Sequence, residues 1–90
     1  MKLRTAQRIE FVYFAPNAKS VKLAGSFNDW NPEFTVLRRD KRGNWRIELE
    51  LPAGRYEYRY WVDGEWQNDQ RPVESVPNAY GSWNCVLEVS

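Results

Sequence analysis

The 90-residue sequence predicts an all-β protein, an antiparallel β-sandwich or barrel. Three observations carry that reading. Apolar and polar residues alternate with period two in short segments, as in half-buried strands. Clusters of Gly, Pro, Asn and Asp separate those segments at roughly ten-residue spacing. No stretch follows the helical period over more than one turn. Ninety residues allow one domain, expected over 1–90. A chain of this size buries roughly 60–65% of its unfolded surface, enough for one compact core but not for a deep cleft between lobes. Aromatic residues make up 16% of the chain, with five tryptophans. Each aromatic buries about 150–250 Å², so a few of them suffice for a small β core.

About seven strands follow in order. Met1 to Ala6 is short and polar and is expected to be a loose N-terminal segment. Arg8 to Phe14 reads as a strand with Ile9, Phe11 and Tyr13 on one face. Ala15 to Ala18 is turn chemistry. Ser20 to Phe27 alternates again, and Gly25 within it marks a bend or a close backbone approach. Asn28-Asp29-Trp30-Asn31-Pro32 breaks that strand and sets Trp30 at a loop tip. Phe34 to Arg38 is compatible with a short strand, and Arg39 to Asn44 is a charged hairpin loop. Trp45 to Leu51 turns Trp45, Ile47, Leu49 and Leu51 inward. Gly54 to Val62 puts Tyr56, Tyr58, Tyr60 and Val62 on a core face, and Arg55, Glu57, Arg59 and Trp61 on the other. Asp63-Gly64 is a strong hairpin signal because its tight turn needs positive φ, and it throws Trp66 onto the next strand. Gln67 to Gly81 is polar, carries Pro72 and Pro77, and reads as one long outer loop of the kind that often carries function. Ser82 to Val89 is the last strand. It sets Trp83, Cys85, Leu87 and Val89 against Val86. The sequence shows neither internal repeats nor low-complexity segments.

Composition removes several functions. Thirteen basic against twelve acidic residues give a net charge of +1, without the electrostatic footprint of a nucleic-acid or anionic-membrane binder. With no histidine and one cysteine, neither a zinc site nor a histidine-based triad is expected, and no metal or other cofactor is implied. Cys85 has no disulfide partner within the chain and reads as a small buried filler. These residues hold no secretion signal and no long apolar run, so the expectation is a soluble, cytoplasmic domain.

The pattern singles out a binding surface: the charged face of the Gly54–Val62 strand, beside a tryptophan delivered by a turn. For Trp30 and Trp66, pattern alone serves binding and local packing equally. Trp45, on an unbroken inward face, reads as core. Trp61 and Trp83 fit packing between sheets or under the long loop. Arg59 taken singly is an ordinary strand residue, solvated or paired with Glu57 or Glu48. Asn84 equally suits satisfying a loop backbone group.

Three ordered motifs narrow the choice. Phe11-Val-Tyr-Phe-Ala-Pro-Asn-Ala is followed by Val21-Lys-Leu-Ala-Gly-Ser-Phe-Asn-Asp-Trp30, then by Gly54-Arg-Tyr-Glu-Tyr-Arg-Tyr-Trp-Val-Asp-Gly-Glu-Trp66, with a closing Gly81-Ser-Trp-Asn84. From about Arg8 to Val89 the sequence resembles the family 48 carbohydrate-binding modules. These include the glycogen-binding domain of the AMP-activated kinase β subunit and the N-terminal domains of isoamylases and glycogen-branching enzymes. The resemblance implies an immunoglobulin-like sandwich of the early-set type that binds α-1,4-linked glucans such as glycogen, starch, maltooligosaccharides and cyclodextrin. It implies sugar stacking by Trp30 and Trp66, a basic hydrogen-bond donor at Arg59, and a hydroxyl-bonding amide at Asn84. It also implies rim contacts by Tyr80 and Ser82. Two positions depart from the family pattern. Arg59 stands where lysine is usual and presents a planar fork in place of a point charge. Tyr80 stands where a leucine enters the ring of a cyclic glucan.

These residue types suit a sugar. A glucose unit turns C–H groups to its face and hydroxyls to its edge. An indole matches the first and Arg, Asn and Ser match the second. Each ring desolvating ~60–80 Å² contributes about 2 kcal/mol, and each neutral hydrogen bond about 0.5–1.5 kcal/mol. Set against the cost of association, this implies dissociation constants of about 10 μM to 1 mM for short oligosaccharides. No catalytic residues are implied. A glycosidase needs two carboxylates about 5–9.5 Å apart, and the nearest candidates to Trp66 are Asp63 and Glu65, of which Asp63 is explained by its turn. A nucleic-acid module would stack bases on the same aromatics, but its binding should fall steeply with salt. The remaining alternative is a docking domain of the same fold, addressing a catalytic domain or partner protein, with weak or no sugar binding.

Overall fold

The computed structural model describes residues 6–90. Apart from Ala6, the loose segment expected at Met1 to Ala6 lies outside the described residues. Two antiparallel sheets pack face to face as an all-β sandwich. The strands are β1 (Gln7–Phe14), β2 (Val21–Gly25), β3 (Arg38–Arg39), β4 (Asn44–Leu51), β5 (Gly54–Val62), β6 (Glu65–Gln67), β7 (Ser75–Pro77) and β8 (Trp83–Val89). One sheet has the order β1-β4-β3. The other runs β2-β5-β8-β7, with β6 also paired to β5.

The period-two pattern decides which face is buried. In the β1–β4 register Phe11 opposes Ile47 and Tyr13 opposes Trp45, so all four share the inner face. In the facing sheet Leu23 opposes Tyr60, and Tyr58 opposes Cys85. The two inner faces meet ring against ring. Phe11 meets Tyr58 edge-on with centroids 5.3 Å apart, and Tyr13 lies 4.8 Å from Tyr60. Such pairs add to the area they bury because the positive edge of one ring meets the negative face of the other. Trp45 is buried in this cluster, and its Nε1 donates to the Ala15 carbonyl at 2.8 Å, so burying the indole leaves no polar atom unpaired. Cys85 is also buried, as expected of a small filler.

Several elements differ from the sequence expectation. The strand read from Ser20 to Phe27 ends at Gly25. A Cβ at Gly25 would stand 2.6 Å from the Glu57 carbonyl oxygen, so glycine permits the approach of β2 to β5. Phe34 belongs to a 3-10 turn, Pro32–Phe34, because Asn31 Oδ1 accepts from the Glu33 amide and Pro32 presets the first φ. Val36 makes only an isolated bridge to Lys22, and the strand begins at Arg38. The stretch from Gln67 to Gly81 is not one loop. It contains β7, whose Val76 opposes Asn84, and the Val86 amide donates to the Glu74 carbonyl at 2.8 Å. Pro77 is tolerated because β7 is an edge strand. Trp83 is 52% exposed, neither between the sheets nor under a loop.

At the tip between β3 and β4, Asp40 Oδ1 accepts from the Arg42 and Asn44 amides, and Oδ2 accepts from Arg46 Nε. The Arg46 hydrogen bond is the main reason that the Asp40 carboxyl is held down at about 2.

Trp45→Ala is expected to lower the unfolding free energy by about 3–5 kcal/mol, measured by urea denaturation, because it removes a large buried ring from the core cluster.

Candidate functional site

The outer face of β5 is the floor of the site. Glu57, Arg59 and Trp61 alternate there with the buried tyrosines. The hairpin to β6 closes through Asp63 (φ 48°) and Gly64 (φ 85°), the two positive-φ positions of a type I′ turn. That turn sets Trp66 opposite Trp61, with ring centroids 4.6 Å apart and planes at 68°. Trp61 therefore braces Trp66, which remains 40% exposed. Asp63 also ties the hairpin to the chain before β2, because its Oδ1 accepts from the Lys19 and Ser20 amides, both at 2.9 Å.

Trp30 comes from the opposite rim. Asp29 and Trp30 both adopt left-handed backbone, φ 57° and 58°. For residues with a Cβ this costs about 1–2 kcal/mol each, so the surrounding loop must impose it. Asn28 does so. Its Oδ1 accepts from the Gly25 amide, and its Nδ2 donates to the Leu23 carbonyl and to Thr35 Oγ1. The Gly25 carbonyl then accepts from the amides of Asn28 and Trp30. The result is an indole turned out of the loop, 37% exposed.

A third loop, between β7 and β8, completes the wall. Asn78 Oδ1 accepts from the Tyr80 and Ser82 amides, and Gly81 takes the positive φ that the turn needs. Tyr80 is carried outward and is 93% exposed.

These elements enclose an open cavity of about 790 Å³ lined by Trp30, Glu57, Arg59, Trp66, Pro77, Asn78, Ala79, Tyr80 and Asn84. Five of the six residues singled out in the sequence thus line one cavity. The sixth, Ser82, is outside its lining and serves the Asn78 turn through its backbone. Asn84 is only 9% exposed. Its Oδ1 accepts from Asn78 Nδ2 and its Nδ2 donates to Glu57 Oε1, each at 3.1 Å. Arg59 pairs with neither Glu57 nor Glu48. Its Nε donates to Asn68 Oδ1 at 2.6 Å, and Glu48 lies beside Arg8. Among the described residues both terminal Nη groups of Arg59 make no hydrogen bond, so the guanidinium keeps donors for a ligand. Sequence reasoning missed Glu57 and Asn78 as wall residues. The alternation did put Glu57 on the Arg59 face, and Asn78 fell within the long loop expected from Gln67 to Gly81, but neither pointed to the cavity.

Asn68 is positioned by its neighbour. The Asp69 side chain is fully buried; Oδ2 accepts from Tyr58 Oη at 2.7 Å and from Arg71 Nη2 at 3.0 Å. Oδ1 accepts from the Arg71 amide and Nε, and the Asp69 amide donates to Cys85 Sγ. Burial pushes the Asp69 carboxyl up, but the hydrogen bonds and charge of Arg71, with the Tyr58 hydroxyl, outweigh it and hold the group below its ordinary value. Burial, then the bond to Asp69, raises the Tyr58 phenol. Burial likewise raises the Cys85 thiol, which leaves it a poor nucleophile.

Two outcomes follow from this scaffolding. Asn28→Ala removes three hydrogen bonds from a strained loop and is expected to cost about 1–3 kcal/mol, read by thermal denaturation, with faster amide exchange confined to residues 25–35. Asp69→Asn is expected to cost about 1.5–3 kcal/mol near neutral pH. The folded carboxyl titrates below its ordinary 3.8, so the unfolded chain takes up the proton first as pH falls. The Asp69 contribution is therefore complete above that value and lost below it. Denaturation midpoints of the wild type and Asp69→Asn should converge as pH falls below 3.8.

The sequence profile of the family described as the glycogen recognition site of AMP-activated protein kinase matches residues 8–90. Similar proteins include "Protein FLOURY ENDOSPERM 6, chloroplastic" of Oryza sativa subsp. japonica, 34% identical over 83 residues, which are 92% of this chain and 15% of that protein. The 5'-AMP-activated protein kinase subunit beta-1 of Bos taurus is 38% identical over 72 residues, 79% of this chain and 25% of that one. The subunit beta-2 of Homo sapiens is 29% identical over 79 residues, 87% of this chain and 28% of that one. The chain spans less than a third of each of these relatives. With a match running over almost all of its length, the chain belongs to the family of the AMP-activated protein kinase glycogen recognition site, the family 48 carbohydrate-binding modules.

Proposed function

We propose that this domain is a non-catalytic binding module for α-1,4-linked glucans: glycogen, starch, maltooligosaccharides and cyclodextrins. The observation that carries the reading is that two exposed indoles on separate elements, Trp30 on a loop and Trp66 on strand β6, line the same cavity as a guanidinium with free donors. Flat apolar faces suit the C–H side of glucose, and Arg59 suits its hydroxyl edge. Asn84 contributes at the floor, Tyr80 forms the rim, and Ser82 holds the turn that presents Tyr80. Membership of a glycogen-recognition family supports carbohydrate binding in general.

A non-catalytic role is supported by the acids present. Glu57 is the single carboxylate in the cavity lining, whereas glycoside hydrolysis uses two. Asp63 is occupied by two backbone amides. A docking role is the second reading, favoured by Phe34, Val36 and Trp83, which are exposed outside the cavity lining. A catalytic domain or partner protein would be its target.

Titration with β-cyclodextrin and maltoheptaose, followed by tryptophan fluorescence and heteronuclear NMR, tests the proposal. Trp30→Ala and Trp66→Ala should each weaken binding at least about tenfold, in line with the loss of one stacked ring, with the unfolding midpoint near that of the wild type. Affinity should barely change between low and high salt, since no phosphate charge is being neutralised. A wild-type protein whose spectra do not respond to either sugar would leave the docking reading.

A further inference from the structure

Glu57 is the one cavity residue with a charged acceptor to spare. It stands two residues before Arg59 on the same outer face of β5. Oε1 accepts from Asn84 Nδ2, whereas Oε2 accepts no hydrogen bond and makes no ion pair among the described residues. A sugar hydroxyl is both donor and acceptor, but a guanidinium only donates. A glucose edge held by Arg59 therefore has its oxygens satisfied and its hydroxyl protons still unplaced. The amide oxygens in the cavity are already engaged: Asn78 Oδ1 takes two backbone amides and Asn84 Oδ1 takes Asn78 Nδ2.

We propose that Glu57 is a sugar-contacting residue that accepts a glucose hydroxyl proton at Oε2 while Asn84 fixes Oε1, so that Glu57 and Arg59 together select glucans with free ring hydroxyls at that edge. The inference rests on the glucan reading above. Asn78 and Asn84 are its positioning residues, because they form a chain of hydrogen bonds ending on the carboxylate. A carboxylate held in place before the ligand arrives loses less freedom on binding, and a charged acceptor makes a stronger bond than a neutral one.

The test compares wild type and Glu57→Gln against maltotriose and its monodeoxy analogues by calorimetry. Glutamine keeps the side-chain size and an oxygen for Asn84, but an NH₂ replaces the free acceptor. Wild type should bind one deoxy analogue about tenfold more weakly than maltotriose, the worth of a charge-assisted bond. Glu57→Gln should bind maltotriose about tenfold more weakly than wild type does and treat that same analogue and maltotriose alike. A purely structural Glu57 would weaken all sugars by the same factor, and that outcome overturns the inference. So does equal affinity of Glu57→Gln and wild type for maltotriose, which leaves the glucan reading intact. Absence of wild-type binding to maltotriose and to β-cyclodextrin overturns both.

Discussion

A single extended backbone serves the core and the site at once. Along β5, Tyr58 and Tyr60 are buried against Phe11 and Tyr13, while Glu57, Arg59 and Trp61 look the other way. Because the side-chain period is two, neither set can move without the other. The aromatic packing that holds the sandwich together also sets the height and spacing of the cavity floor. A one-residue slip of β5 would send tyrosines to the surface and charges into the interior, so the register that stabilises the fold also preserves the site.

Around that strand, short polar side chains supply the bonds that regular pairing cannot make in loops. Asn28, Asp63 and Asn78 each bond two or more groups of nearby chain. Each fixes one loop that borders or feeds the cavity. The cost of left-handed backbone at Asp29 and Trp30 is offset locally by Asn28, which is why an indole can be kept outside the core without collapsing onto it. Trp66 is held differently, by the edge of Trp61 on the paired strand. The two exposed indoles thus have independent supports, one of hydrogen bonds and one of ring contact.

The polar groups beneath the cavity are connected rather than isolated. Asn78, Asn84 and Glu57 form one chain, and Arg59 reaches Asn68. Asn68 sits next to a buried aspartate tied to Tyr58, Arg71 and Cys85. No buried side-chain donor or acceptor is left without a partner among the described residues. Where its members are buried and satisfied, at Asn84 and at the Asp69 side chain, such a network stiffens the surface above it.

What the sequence determined alone was local and periodic. Alternation marked Trp45, Tyr58 and Tyr60 as inward and Arg59 as outward, and Asp63-Gly64 and Asn28-Asp29-Trp30 announced their turns through chemistry confined to a few residues. What only the tertiary structure decided was every relation between distant segments. Trp30 and Trp66 share a cavity because the loop after β2 and the strand β6 flank β5. Arg59 chooses Asn68, and Glu57 chooses Asn84, because sheet pairing and the returning 67–75 segment bring those amides near. Period two shows which way a side chain faces, but not which strand lies beside it. Partner choice is set by long-range register and packing, and those are properties of the assembled sandwich.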